Sequence, residues 1–382
     1  MKLRTLIIQL TLVIVQGLIT CGPNRALAAE PCAKRFKNVL VLAGGGVTPG
    51  IALGMLAGAK AAGKKPDAVI STCGSSVSTA IANAFEDPKD AYAFIKSRRF
   101  HSFLMKNVKV HEGLPLSIGL EIMNEGVEEN RIPNVFENYV MEIPTKMPPL
   151  LKETKFKSGD TRFIMVGARA LFNEKHVGMR AQEKRLYQQT FFTDPDTAKS
   201  LRDLPASIKK NFPKSPIYPW TQVRTDVSTL QAARAGIADP FLMNPATIDG
   251  EYYFAGAIDL YPIETAKAIG CEVTVSGPPG EFGKLPDLAV KRGFGYSPLE
   301  REKQLKKYKN VRWIDKKGAT ELSMDPDVSG LTLENKIPRD YNEFVRLIER
   351  QYEFGYDRAY AAYSETGAGD RASTRRASPS VR

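Results

Sequence analysis

The apolar residues of this chain fall into two kinds of run. Val39-Leu40-Val41-Leu42, Ala68-Val69-Ile70 and Phe163-Ile164-Met165-Val166 are continuously apolar and short. Runs of this kind predict strands buried on both faces, as in a parallel sheet covered by helices. A further strand is predicted over Glu272–Ser276, and Val311-Arg312-Trp313-Ile314 alternates like an edge strand. Helical spacing follows elsewhere, over Lys89–Arg98, over the basic stretch Ser297–Lys309 and over Tyr341–Tyr363. In the last of these Phe344, Leu347, Ile348, Tyr352, Gly355 and Tyr356 share one face, which predicts a closing amphipathic helix. Strands alternating with helices place the chain in the α/β class.

The stretch Asn38 to Ala84 carries the chemistry. It reads as strand, glycine-rich loop, helix, strand, sharp turn and helix. A strand-helix-strand crossover brings the carboxyl ends of its two strands side by side, so both turns open at one sheet edge, where ligands bind. Gly44, Gly45 and Gly46 let backbone N–H groups converge ahead of a helix that starts near Gly50, a setting suited to an anion or a developing oxyanion. The second turn, Gly74-Ser75-Ser76-Val77-Ser78, offers Ser76 on a tight bend before a helix, and Ser76 is the candidate nucleophile. A dinucleotide fingerprint fits less well: the spacing is Gly-x-Gly-x-x-x-Gly, and Asp67 stands at the start of the next strand rather than its end.

These residues resemble the patatin-like phospholipase family, whose hallmarks are Gly-Gly-Gly-x-Arg/Lys-Gly after a strand, a Gly-x-Ser-x-Gly elbow, and a distant Asp-Gly-Gly/Ala. A second ordered match runs from Thr229 to Gly270, with the alanine-rich Ala232-Ala233-Arg234-Ala235, Pro240, and the segment leading to Pro262. The resemblance implies a three-layer α/β/α fold with a mostly parallel sheet flanked by helices. It implies a serine lipid acyl hydrolase that cleaves fatty-acyl esters of phospholipids, with Ser76 as nucleophile, Gly44 to Gly46 as oxyanion hole, Gly74 and Ser78 shaping the elbow, and no cofactor or metal. Its partner would be a phospholipid or membrane surface, with no nucleic acid and no obligate protein partner.

Three departures stand out. The glycine loop is one residue longer than the pattern and lacks its basic residue; Ser78 stands where the elbow ends in glycine; and Ala255-Gly256-Ala257 falls where the family carries Asp-Gly-Gly/Ala. Asp259, four residues on, is the candidate substitute base, or else the cap of a helix beginning near Pro262. Asp239, Asp249 and Glu264 flank the region. Loss of the base sets up the alternative, a catalytically degenerate member that keeps a lipid- or partner-binding pocket.

Composition adds the setting. Residues 1–28 read as a signal peptide: Lys2 and Arg4, then Leu6 to Ile19, then Ala26-Leu27-Ala28 as a cleavage site. Export to the periplasm, envelope or medium is the expectation; a lipid anchor at Cys21 is disfavoured by Thr20 before it. The net charge of +12 suits anionic headgroups. Residues 29–37 are a linker, 38–340 the patatin-like domain with a lid or insertion over 99–150, 341–363 the last helix and 364–382 a disordered basic tail. Cys32, Cys73 and Cys271 are too few for a disulfide framework, and Cys73 and Cys271 are expected to be buried small hydrophobes. His101, His111 and His176 all precede the distal segment, so no Ser-Asp-His order is suggested.

Overall fold

The structure, a computed structural model, describes residues 32–85, 87–110, 131–137, 139–145, 150–152, 155–181, 185–277, 284–305, 307–326 and 336–364. The predicted signal peptide, the tail beyond Ser364 and the 111–130 part of the predicted insertion lie outside the described residues. The chain divides into two compact units, residues 1–33 and 34–382. In the first, Cys32 is exposed and disulfide-bonded.

The strands are β1 (Phe36–Leu42), β2 (Ala68–Ser71), β3 (Lys109–Val110), β4 (Met141–Glu142), β5 (Arg162–Ala170), β6 (Tyr187–Phe192), β7 (Gln222–Arg224), β8 (Ala246–Ile248), β9 (Glu251–Phe254), β10 (Gly270–Ser276) and β11 (Arg312–Ile314). Among the described residues, nine of them form one sheet in the order β11-β10-β1-β2-β5-β6-β7, with β9 added to β5 and β8 to β9. The run from β11 to β5 is parallel, whereas β5 meets both β6 and β9 antiparallel. Leu40, Val41, Val69, Ile70, Ile164 and Val166 are fully buried, which is why these strands carry no polar alternation. Arg312 and Trp313 stay partly exposed on β11, the sheet's edge.

Four helices position the site: α1 (Pro49–Ala61), α2 (Ser75–Ala84), α3 (Thr229–Ile237) and α4 (Tyr341–Ser364). Pro49 starts α1, where its missing N–H costs nothing. A capping box between Ser228 and Gln231 starts α3. α4 packs directly on α1: a side chain on Gly54 or Gly58 would strike the carbonyls of Tyr352 and Tyr356, and one on Gly355 the carbonyl of Ile51. The fully buried Gln351 of α4 accepts the Gly50 N–H (3.0 Å) and donates to the Leu322 carbonyl (2.7 Å), so it ties the mouth of α1 to the segment after β11.

The structure places the described parts of the insertion and changes the expectation for Cys271. The described parts of the 99–150 insertion belong to the core: the helix Arg98–Asn107 buries Phe100 and Leu104, and Phe100 meets Phe344 of α4. Cys271 is no buried hydrophobe; it is disulfide-bonded and half-buried near the start of β10.

Candidate active site

β1 and β2 are adjacent parallel strands, and the loops at their carboxyl ends touch. A Cβ on Gly44 would lie 2.7 Å from the Cβ of Cys73, and one on Gly74 would strike the carbonyl oxygen of Gly46. Only glycine permits that approach, and Gly46 is also held at φ +70°.

The residue on the bend is Cys73. Its φ is +49°, an uncommon conformation for a side chain with a Cβ and the strained geometry of a strand-to-helix elbow. The residue is half-buried, and its thiol donates to Asp239 Oδ2 across 3.0 Å. Ser76 lies one turn further on, inside α2 and fully buried. Its Oγ has no hydrogen-bond partner and packs against Gly236 of α3, where a Cβ would come within 2.6 Å of it. The expectation that Ser76 is held out on the bend is therefore corrected to Cys73.

The other hydroxyls around the turn fasten backbone. Thr72 Oγ1 accepts the Gly44 N–H (2.9 Å) and donates to the Leu260 carbonyl (3.2 Å). Ser75 donates to the Ala43 carbonyl (3.0 Å), and Ser78 to the Pro49 carbonyl (3.1 Å), joining α2 to the start of α1. Gly74 is the N-cap of α2. The Gly44 amide is thus occupied, while those of Gly45 and Gly46 have no hydrogen-bond partner among the described residues.

Asp239 follows α3 in Ile237-Ala238-Asp239-Pro240. Ala255 donates its N–H to the Ala238 carbonyl (3.0 Å), so Asp239 sits beside the position from which the family's aspartate would act. Gly256, next to Ala255, packs against Thr72 and Cys73. Burial, with a smaller contribution from the charge of Asp325, pushes Asp239 up to about 7, although the thiol hydrogen bond works the other way. The Cys73 thiol is raised well above its usual range, chiefly by burial and then by the neighbouring Asp239. The pair therefore rests with its proton on sulfur, opposite a carboxylate of near-neutral pKa.

Asp259 is elsewhere. It ends the 3-10 turn Gly256–Asp259, is fully buried, accepts a hydrogen bond from Ser207 and lies 3.9 Å from Arg301. Arg301 in turn donates to Glu264, which Tyr308 and Asn211 also reach. Burial raises Asp259 to about 6 against the pull of Arg301. Burial also acts on Glu264, but its hydrogen bonds to Arg301 outweigh it and the carboxyl is lowered. Asp259 does not cap the following helix Ile263–Ile269, whose N-cap is Pro262 with no side-chain bond. Asp249 is on the β8–β9 turn, paired with Arg224. His101 and His176 bond Pro338 and Asn173, away from the turns.

The basic residue missing from the glycine loop arrives from another part of the chain. Lys316, just after β11, donates to the Gly44 carbonyl (2.9 Å), and its ammonium lies against Gly45.

Cys73 had a signal in the sequence. Ser71-Thr72-Cys73-Gly74-Ser75 is an elbow frame with small residues two positions either side, and it follows the strand directly, as an elbow must. Asp239 is the one acid in the small-residue run Ala232 to Ala238 and its proline. Nothing local marks Lys316.

A family model described as patatin-like phospholipase matches residues 40–267. That interval holds both turns, Asp239, Ala255 and Asp259, and ends before Lys316. No curated protein matches. Among solved structures, VipD from Legionella pneumophila is similar at 13% sequence identity and a TM-score of 0.34, over 87% of this chain and 67% of that one.

Proposed function

The chain belongs to the patatin-like phospholipase family, a family of lipid acyl hydrolases, and from this we propose that it hydrolyses fatty-acyl esters of phospholipids or related lipids with Cys73 as nucleophile and Asp239 as base. One observation carries the reading: the hydrogen bond from the Cys73 thiol to Asp239, made at a positive-φ bend directly beneath the glycine loop.

In this mechanism Asp239 takes the thiol proton as sulfur attacks the ester carbonyl carbon. The developing oxyanion is received by the amides of Gly45 and Gly46. The tetrahedral adduct expels the lysolipid alkoxide, which recovers the proton from Asp239, leaving a thioester on Cys73. Water, losing its proton to Asp239, then attacks the thioester; fatty acid departs and the thiol is restored. Pairing a neutral thiol with a carboxylate of near-neutral pKa makes that proton transfer less uphill than it would be to an ordinary aspartate.

The substrate is met at a membrane. Trp220 is 53% exposed and Tyr218 39%, on a loop that also bears Lys214 and follows the short helix Ser207–Asn211 with its Lys210, a combination suited to an anionic lipid interface. Export by the predicted signal peptide agrees with the disulfide at Cys271, since such bonds persist in oxidising compartments.

The competing reading is a member that binds lipid without turning it over, favoured by the resting protonation of Cys73. The test is to label the folded protein with a long-chain thiol-directed electrophile and with a fluorophosphonate, and to follow fatty-acid release from mixed anionic phospholipid vesicles. Cys73→Ala should abolish thiol labelling and lower release by about a thousandfold or more, as loss of a nucleophile does, while Ser76→Ala keeps both. Fluorophosphonate labelling lost only in Ser76→Ala would restore the serine mechanism. Vesicle binding without release by either the native chain or Asp325→Ala would establish the binding reading.

A further inference from the structure

The glycine loop already holds an anion, and it is the chain's own. After β11 the backbone turns through Asp315-Lys316-Lys317-Gly318 and a short 3-10 turn, Ala319–Leu322, and returns to the loop at Met324 and Asp325. β11 is parallel to β10 and β10 to β1, so the carboxyl end of β11 opens on the same sheet edge as the loop. The Val47 N–H donates to Asp325 Oδ1 (3.0 Å), and Oδ2 lies against Gly46, filling the space a Cβ would take. Ser323 holds that second oxygen (2.7 Å). Met324 donates its N–H to the Val47 carbonyl (3.2 Å). Lys316 grips the loop from the other side through the Gly44 carbonyl, and Gln351 anchors the segment through Leu322.

We propose that residues 316–325 are an inhibitory strap whose Asp325 carboxylate, held by the adjoining Val47 amide and lying against Gly46, crowds the seat in which the Gly45 and Gly46 amides receive the substrate's anion, the tetrahedral oxyanion or the fatty carboxylate that leaves. The inference rests on the acyl-hydrolase reading for the identity of that anion, but not for the existence of the seat. A carboxylate held by a loop amide and a hydroxyl shows what the loop binds. Its charge also acts on the reacting pair: Asp325 disfavours ionisation of both Cys73 and Asp239. An oxyanion forming beside it would meet like charge. Lys316 fastens the strap to the loop through the Gly44 carbonyl.

Displacing the strap should therefore expose the seat and quicken the thiol. The experiment measures alkylation of Cys73 by the neutral reagent iodoacetamide, with and without decanoate, in the native chain, Asp325→Asn and Asp325→Ala, each checked for its melting temperature. Removing one nearby charge and loosening the strap should raise the alkylation rate severalfold in both variants. Asp325→Ala, with the seat vacated, should then be protected by decanoate, whereas the native chain should not. Asp325→Asn guards against a folding defect in the alanine variant. Unchanged alkylation in both variants, or equal protection of the native chain and Asp325→Ala, would overturn the strap. Decanoate protection in Asp325→Ala without fatty-acid release from vesicles would leave the strap standing and remove the hydrolase.

Discussion

Asp239 and Asp259 come from one family-specific segment, each raised by burial, and they face different company. Among the described residues Asp239 meets a thiol at 3.0 Å and no cation, and its Oδ1 is shielded without a hydrogen-bond partner. Asp259 meets Ser207 and, at 3.9 Å, Arg301, which also serves Glu264. A carboxylate opposite an arginine has its charge partly offset by that cation and is held as part of the packing. One opposite an acidic hydrogen and free of countercharge is left with its proton affinity. The difference separates a structural clamp from the proposed proton acceptor, although both residues are acids four to sixteen positions from the place where the family's aspartate is missing.

The comparison is tested hardest by Asp239→Asn beside Asp259→Asn. The first should lower fatty-acid release by about a hundredfold to ten-thousandfold, the usual range for a lost general base, while the melting temperature holds or rises. The second should do the reverse, keeping most activity while destabilising the fold by about 1–3 kcal/mol as a buried hydrogen-bonded charge is lost beside Arg301. Steady-state kinetics and thermal melts on the two proteins decide the matter. Equal loss of activity in both would erase the distinction.

The next effect is on pH. Asp239 is raised from the usual 3.8 to about 7. The folded chain therefore holds a proton there that the unfolded chain releases between about pH 4 and 7, and over that window the folded state binds more protons. Stability from this group is full below the unfolded pKa and is lost as pH rises toward 7, at up to about 1.4 kcal/mol per pH unit. Activity runs the other way, because only ionised Asp239 accepts the thiol proton, so release should climb as pH passes about 7. Asp259, raised to about 6, contributes the lower part of the same stability loss. Urea midpoints across this range should fall in the native chain and flatten in Asp239→Asn between about pH 6 and 7. A native midpoint independent of pH would mean that Asp239 is not held protonated.

The parallel sheet was legible because continuous apolar runs such as Val39 to Leu42 have few other homes, and β11 because Arg312 interrupts an apolar run as edges require. The glycine loop was legible for the same local reason: three adjacent glycines have little use but close backbone approach. The elbow was misread by three residues. Its frame rests on small residues, and the run Ser71 to Ser78 contains serines at four positions, so composition alone admits more than one register. What fixes the register is the positive φ at Cys73, a backbone fact. The approach of Asp239 to Cys73 was harder still to read. Asp239 reaches the site because β9 returns beside the end of α3, so that Ala255 bonds Ala238; Lys316 and Asp325 reach it through a sheet order in which β11 ends two strands from β1. Such meetings are made by topology, and no local pattern announces them.

The smallest effect concerns the residue that the bend displaced. Ser76 and Cys73 differ as the two aspartates do: one polar atom is aimed at a partner and the other has none. Ser76 Oγ is fully buried, packed against Gly236, and unbonded. A hydroxyl taken from water without a replacement hydrogen bond costs stability, and the methyl of alanine has no such cost. Ser76→Ala should therefore leave the fold as stable as it is or gain up to about 1 kcal/mol, seen as a higher urea midpoint. Ser76→Val would push its branched carbon into Gly236 and the sheet, so it should lower the midpoint by about 1–3 kcal/mol, the cost of overpacking a tight site. A serine that catalysis needed would reveal itself by the opposite pattern, in which alanine destroys turnover whatever it does to the midpoint. The pair of variants thus weighs Ser76 as packing against Ser76 as chemistry in one titration and one assay.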